Sequence, residues 1–141
     1  MKNSLVIFYV DDDADDLKIM VKAGESKGYK VTTFGSGIEL LNELYQTARK
    51  PDIIFLDEYM PIMTGTDVLG EIKKTENLRD IPAIIFTGSS QHYLIDSYLE
   101  SGANHIIEKP TSIEAYLDIL DDVANIEWSK YRPNEHDLNI D

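Results

Sequence analysis

Residues 5–13 read Leu5-Val6-Ile7-Phe8-Tyr9-Val10-Asp11-Asp12-Asp13: six apolar residues run straight into three carboxylates. A short run rich in Val, Ile and aromatic side chains has the composition of a strand buried on both faces. The pattern recurs downstream. Ile53-Ile54-Phe55-Leu56 stops on Asp57, Ala83-Ile84-Ile85-Phe86 stops on Thr87, and Ile106-Ile107 leads through Glu108 to Lys109-Pro110. Lys30 to Phe34 reads as a further, shorter strand. Parallel strands place their carboxyl ends along one edge of the sheet, where such folds bind ligands. Carboxylates, a hydroxyl and an ammonium are thereby expected in one pocket.

Amphipathic segments with helical spacing separate the strands. Leu17, Met20 and Val21 fall at i, i+3, i+4, and Gly28 offers a stop. Ser36-Gly37-Ile38-Glu39 has capping-box spacing and predicts a helix with Ile38, Leu41, Leu44, Tyr45 and Ala48 on one face, ended by Pro51. A turn-rich stretch from Met60 to Gly65 precedes a helix carrying Val68, Leu69 and Ile72. Tyr93, Leu94, Tyr98 and Leu99 form a partial stripe closed by Gly102. Thr111-Ser112-Ile113-Glu114 is a second capping box, opening a helix with Ile113, Tyr116, Leu117, Leu120, Val123 and Ala124 on one face. Five strands alternating with five helices predict an α/β fold, a doubly wound and mostly parallel sheet with helices on both faces. Residues 1–126 read as one domain, and residues 127–141, polar and aperiodic with Pro133, as a tail without an output domain.

Composition narrows the function. A chain of 141 residues suits one domain that buries roughly 70% of its unfolded surface. A net charge of −13 disfavours nucleic acid, whose phosphates it would repel. The absence of cysteine removes disulfides and thiolate metal sites and predicts a reducing, cytoplasmic setting. No apolar run approaches membrane length, and the six apolar residues before Asp11 are too few for a signal peptide.

The carboxylates divide by role. Asp13 is placed to cap the first helix, while Asp15 and Asp16 sit in its first turn and complement the helix dipole. Asp11, Asp12 and Asp57 remain without such a structural reason. Two unit charges about 4 Å apart repel by roughly 4 kcal/mol at an effective dielectric near 20, so the cluster must bind protons or recruit a cation. Mg2+ fits best, because it takes one or two carboxylates and completes its shell with water and phosphate oxygens. His92, His105 and His136 lack ligand-like spacing and read as surface or edge residues. Lys109 immediately precedes Pro110, which restricts the lysine backbone, leaves a cis bond open and aims the side chain. A nucleophilic carboxylate, a cation site, the Thr87 hydroxyl and a fixed ammonium are the parts needed to move a phosphoryl group onto Asp57.

With these motifs in this order, the chain resembles the response-regulator receiver domains of two-component signalling, over about residues 4 to 126. The resemblance rests on the acidic pair after the first strand, Asp57 with Met60-Pro61 and Gly65 following, Thr87-Gly88, and Lys109-Pro110. It implies strand order 2-1-3-4-5. It implies Asp57 as phosphoacceptor, Asp11 and Asp12 as the metal-site pair with Asp12 the more direct ligand, and the Tyr59 backbone carbonyl facing Mg2+. Thr87 would bond the phosphoryl oxygen and Lys109 would pair with it. Tyr59 and Ser89 occupy positions that tune acyl-phosphate lifetime in the family. Ile106 stands where the family often carries a switching aromatic. The implied partners are a sensor histidine kinase or histidine phosphotransfer protein and a downstream protein, reached through the face of the fourth helix, fifth strand and fifth helix; homodimerisation stays open. Trp128 and Tyr131 could anchor on that face, on a partner, or in a frayed terminus.

Two other readings compete. A haloacid-dehalogenase-like phosphohydrolase needs a second acid two residues after the nucleophile, where this chain has Tyr59. A receiver-like binding module would work without phosphorylation. The expected behaviour is therefore that of a switch that catalyses only its own phosphorylation and dephosphorylation.

Overall fold

A computed structural model describes residues 5–88 and 94–131. Five strands, β1 (Val6–Val10), β2 (Lys30–Phe34), β3 (Ile53–Asp57), β4 (Ala83–Thr87) and β5 (His105–Glu108), alternate with five helices. The helices are α1 (Ala14–Ser26), α2 (Gly37–Gln46), α3 (Gly65–Lys73), α4 (Ile95–Glu100) and α5 (Ile113–Ala124). All strand pairs are parallel and the order is β2-β1-β3-β4-β5, as expected.

Successive strand side chains point to opposite faces, which splits the core in two. Phe8, Val10, Ile54, Leu56, Ile85 and Ile106 pack beneath α2, α3 and α4. Ile7, Tyr9, Ile53, Phe55, Ile84, Phe86 and Ile107 pack beneath α1 and α5. Burying each large apolar side chain contributes about 1.5–3 kcal/mol, so these strands have no solvent face to offer.

Helix boundaries follow local chemistry. Asp13 caps α1, its Oδ1 accepting from the amides of Asp15 at 2.9 Å and Asp16 at 3.4 Å. Thr64 and Asp67 form a reciprocal capping box at α3. Gly28 and Gly102 follow α1 and α4 with φ of 81° and 104°, the left-handed geometry that glycine adopts without a Cβ clash.

Two details depart from the sequence reading. Helix α2 buries Gly37, Leu40, Leu41 and Leu44, whereas Ile38 and Tyr45 are about half exposed and Ala48 lies beyond the helix. Helix α5 is capped by Ser112, which accepts from the Ala115 amide at 3.2 Å, so the Thr111 capping box is out of register by one. Ile119 joins the buried face of α5. Among the described residues no peptide bond is cis, and Pro110 follows a trans bond.

His105, read as a surface or edge residue, lies on the edge strand β5 but is not at the surface. It is buried at the amino end of β5, where Tyr131 and Trp128 close over it with ring centroids 5.4 and 6.5 Å away. Tyr131 Oη lies 3.2 Å from His105 Nδ1. These two aromatics therefore pack at the amino ends of the strands, the edge opposite Asp57. His92, Tyr93 and His136 lie outside the described residues.

Candidate functional site

Register brings the strand ends together. Val10 pairs with Leu56, Asp57 with Phe86, and Thr87 with Glu108, so Asp11, Asp57, Thr87 and Lys109 emerge side by side. The chain leaves β1 toward β2 and returns on its other side to β3, so Asp11 and Asp57 flank the topological switch point. Backbone bonds extend the alignment past the strands, with the Glu58 amide donating to Phe86 O at 3.1 Å and the Lys109 amide to Thr87 O at 2.8 Å.

One carboxylate oxygen from each of Asp11, Asp12 and Asp57 lies within 4.8 Å of the others. Asp11 is fully buried and Asp57 nearly so, while Asp12 is exposed. A set of hard oxygen donors with one open side suits a divalent cation that keeps waters, so the residues fit Mg2+ or Mn2+. Lys109 is the protein's own counter-charge. Its Nζ sits 2.7 Å from Asp11 Oδ2, 2.8 Å from Asp16 Oδ2 and 3.7 Å from Asp57 Oδ1.

Burial is the largest influence on Asp57 and the Asp11 charge the next; against the lowering effect of Lys109 they push its carboxyl up to about 7. Burial alone would lower the Lys109 ammonium, but its bonds to Asp11 and Asp16 and the charges of Asp57 and Asp11 hold it above the usual lysine range. The pocket thus holds excess negative charge that a metal ion would relieve.

Other expected residues take simpler positions. Thr87 is buried, its hydroxyl 3.4 Å from the Gly88 carbonyl. Tyr59 is half exposed on the loop after Asp57. Ile106 is fully buried on the α3–α4 side, in one cluster with Tyr98. Ser89 lies outside the described residues. Glu58, although adjacent to Asp57, turns to accept from the Thr66 amide and hydroxyl at 2.8 and 2.9 Å, tying the β3–α3 loop to the start of α3.

Gly65 makes that loop close. A Cβ there would stand 2.6 Å from the Asp57 carbonyl oxygen and 3.1 Å from Glu58 Cα, backbone atoms that cannot swing aside. Gly65→Ala is expected to destabilise the fold by about 2 kcal/mol, read as a lowered urea midpoint, because the added methyl overpacks fixed backbone.

Two participants escaped the sequence reading. Asp16, taken as a dipole residue, also binds Lys109 from α1. Tyr9, taken as a strand residue, donates its hydroxyl to Asp11 Oδ2 at 2.5 Å. Burial, then the neighbouring Tyr116 and Asp11, raise the Tyr9 phenol far above its ordinary value, so it stays a donor. The spacing held the signal for Tyr9, since residues two apart on a strand share a face.

A doubly wound parallel sheet with three carboxylates and a lysine at its switch point defines a flavodoxin-like receiver fold. The profile of the response regulator receiver domain matches residues 7–121, and the chain belongs to that family, the receiver modules of two-component signalling. The two-component response regulator ARR17 of Arabidopsis thaliana is 30% identical over 123 residues, covering 80% of this chain and 80% of that protein. The phosphorylated cyanobacterial phytochrome response regulator RcpA superposes with a TM-score of 0.76 at 26% identity, over 92% of this chain and 97% of that one. The Mn2+-bound form of response regulator Rcp1 shares the fold at 20% identity, TM-score 0.74, over 92% and 99% of the two chains. Members of the family are typically non-enzymatic signalling modules. Among the described residues no helix is long and apolar enough to cross a membrane.

Proposed function

We propose that this protein is a phosphorylation-activated switch that accepts a phosphoryl group on Asp57 from the histidine of a sensor kinase or phosphotransfer protein. The observation that carries the reading is the Asp57 carboxylate itself: 4% exposed at the end of β3, crowded by Asp11 and Asp12, and 3.7 Å from Lys109. Kinship with two-component response regulators supports a histidine donor, and the Mn2+ form of Rcp1 supports a divalent ion in the pocket.

Asp12, Asp57, Asp11 and the Tyr59 carbonyl would hold Mg2+, which supplies positive charge to the phosphoryl oxygens when bound. Asp57 in its ionised form attacks phosphorus in line; the new O–P bond forms as the P–N bond to the donor imidazole breaks, and the imidazole carries away the electron pair. Lys109 and the Thr87 hydroxyl then meet the transferred group, which carries close to two negative charges in place of the single one on the carboxylate. Lys109 already divides its hydrogen bonds between Asp11 and Asp16, so new charge on Asp57 redistributes them and biases the surrounding loops toward a second arrangement. A downstream protein reads that arrangement. The self-catalysed gain and loss of phosphate is the only chemistry assigned.

The test is direct labelling. With Mg2+ and a small acyl phosphate, the chain should gain one acid-stable, base- and hydroxylamine-labile phosphate. A wild-type protein that stays unlabelled under those conditions overturns the reading.

A further inference from the structure

Asp11 is the most enclosed charge in the pocket, at 0% exposure, and its carboxylate accepts from three donors. The Asp13 amide binds Oδ1 at 2.9 Å; the Tyr9 hydroxyl at 2.5 Å and Lys109 Nζ at 2.7 Å share Oδ2. The two side-chain donors differ in freedom. Lys109 ends a flexible stem, is partly exposed and also serves Asp16 and Asp57, so it redistributes when charge enters the pocket. Tyr9 cannot follow. Its ring is fully buried and meets Phe55 and Phe86 edge to face, with centroids 6.5 and 5.6 Å away.

A phenol at this strand position is not required for packing. Phenylalanine would fill the same volume, and a buried hydroxyl costs free energy unless it is paired. Its one close partner is Asp11; the Tyr116 hydroxyl of α5 stands further off at 3.4 Å, beyond the usual range for two oxygens. We infer that Tyr9 is a positioning residue for the metal site, holding the Asp11 carboxylate in its orientation through the exchange of Lys109 for a divalent ion. The inference rests on the metal-site reading above. Outer partners that orient a ligating carboxylate typically contribute 10- to 100-fold to metal affinity.

The experiment uses the full chain and Mn2+ alone, titrated by electron paramagnetic resonance. Wild type should bind one Mn2+. Tyr9→Phe should bind it about tenfold more weakly while keeping its far-UV circular dichroism. Tyr116→Phe, one hydroxyl further from Asp11, should remain within about twofold of wild type. A folded Tyr9→Phe protein with wild-type affinity overturns the inference, as does an equal loss in Tyr116→Phe, which would mark a general packing effect. In wild type, whatever the stability of the variants, the Tyr9 ring Cζ resonance should move during a Mg2+ titration with the same midpoint as binding; a resonance that stays fixed at saturation also overturns the inference. Absence of Mn2+ binding in wild type overturns the metal-site reading, and this inference with it.

Discussion

Asp57→Asn is expected to abolish phosphoryl labelling and, at the same time, to make the metal-free protein more stable above neutral pH. The two effects have one origin. Asp57 is the nucleophile, and its charge is held in a pocket that disfavours it, with its carboxyl at about 7 against an ordinary 3.8. A group held above its unfolded value binds its proton more tightly in the native state. Its charge therefore penalises the fold progressively as pH rises from about 4 to about 7, and the full penalty applies beyond that window. With about 1.4 kcal/mol for each pH unit, the neutral amide should stabilise by about 2 to 4 kcal/mol at pH 8 and by almost nothing at pH 3.5. Urea unfolding of both proteins across that range, without divalent ions, measures the difference. Added Mg2+ should stabilise wild type and narrow the gap. A stability difference independent of pH would remove the assigned charge crowding, and labelling of the Asn variant would remove Asp57 as acceptor.

Lys109→Ala is expected to act in the opposite direction. The ammonium is the one protein cation touching Asp11, Asp16 and Asp57 among the described residues, and its removal strands buried carboxylate charge. Loss of one partner from such a pair costs about 3 kcal/mol. Millimolar Mg2+ should restore much of this, because the ion supplies the missing positive charge. Labelling at Asp57 should remain detectable, since Lys109 is not the nucleophile. The change in backbone amide resonances that accompanies wild-type phosphorylation should be lost, since nothing remains to redistribute. Normal signalling by the variant would show that Lys109 has no part in the switch.

The legible features were those governed by local pattern. Strand ends at Asp57, Thr87 and, one residue before Lys109, Glu108 could be read because a strand buried on both faces is a continuous apolar run, and the first polar residue marks where it reaches the edge. Asp13 was legible as a cap because capping is decided within three residues. Helix α2 was less so. Ile38, Leu40, Leu41, Leu44 and Tyr45 span an arc of about 160° at 3.6 residues per turn, and only packing against β1, β2 and α3 selects the Leu40–Leu44 stripe over Ile38 and Tyr45. The burial of His105 on its edge strand was not legible, because it depends on Trp128 and Tyr131 folding back over the start of β5.

By itself, the sequence determined the alternation of strands and helices and the types of group delivered to one edge: carboxylates, a hydroxyl and an ammonium. Those follow from hydrophobic period and turn chemistry, which act over a few residues. Only the tertiary structure decided how the charges are shared. Lys109 leans on Asp11 and Asp16 more closely than on Asp57, and Tyr9 pins Asp11 from within the core. Asp16 is 93 positions from Lys109, and such contacts depend on the relative placement of α1, β1 and β5. That placement is set by the summed packing of both faces of the sheet, which no local stretch of sequence encodes.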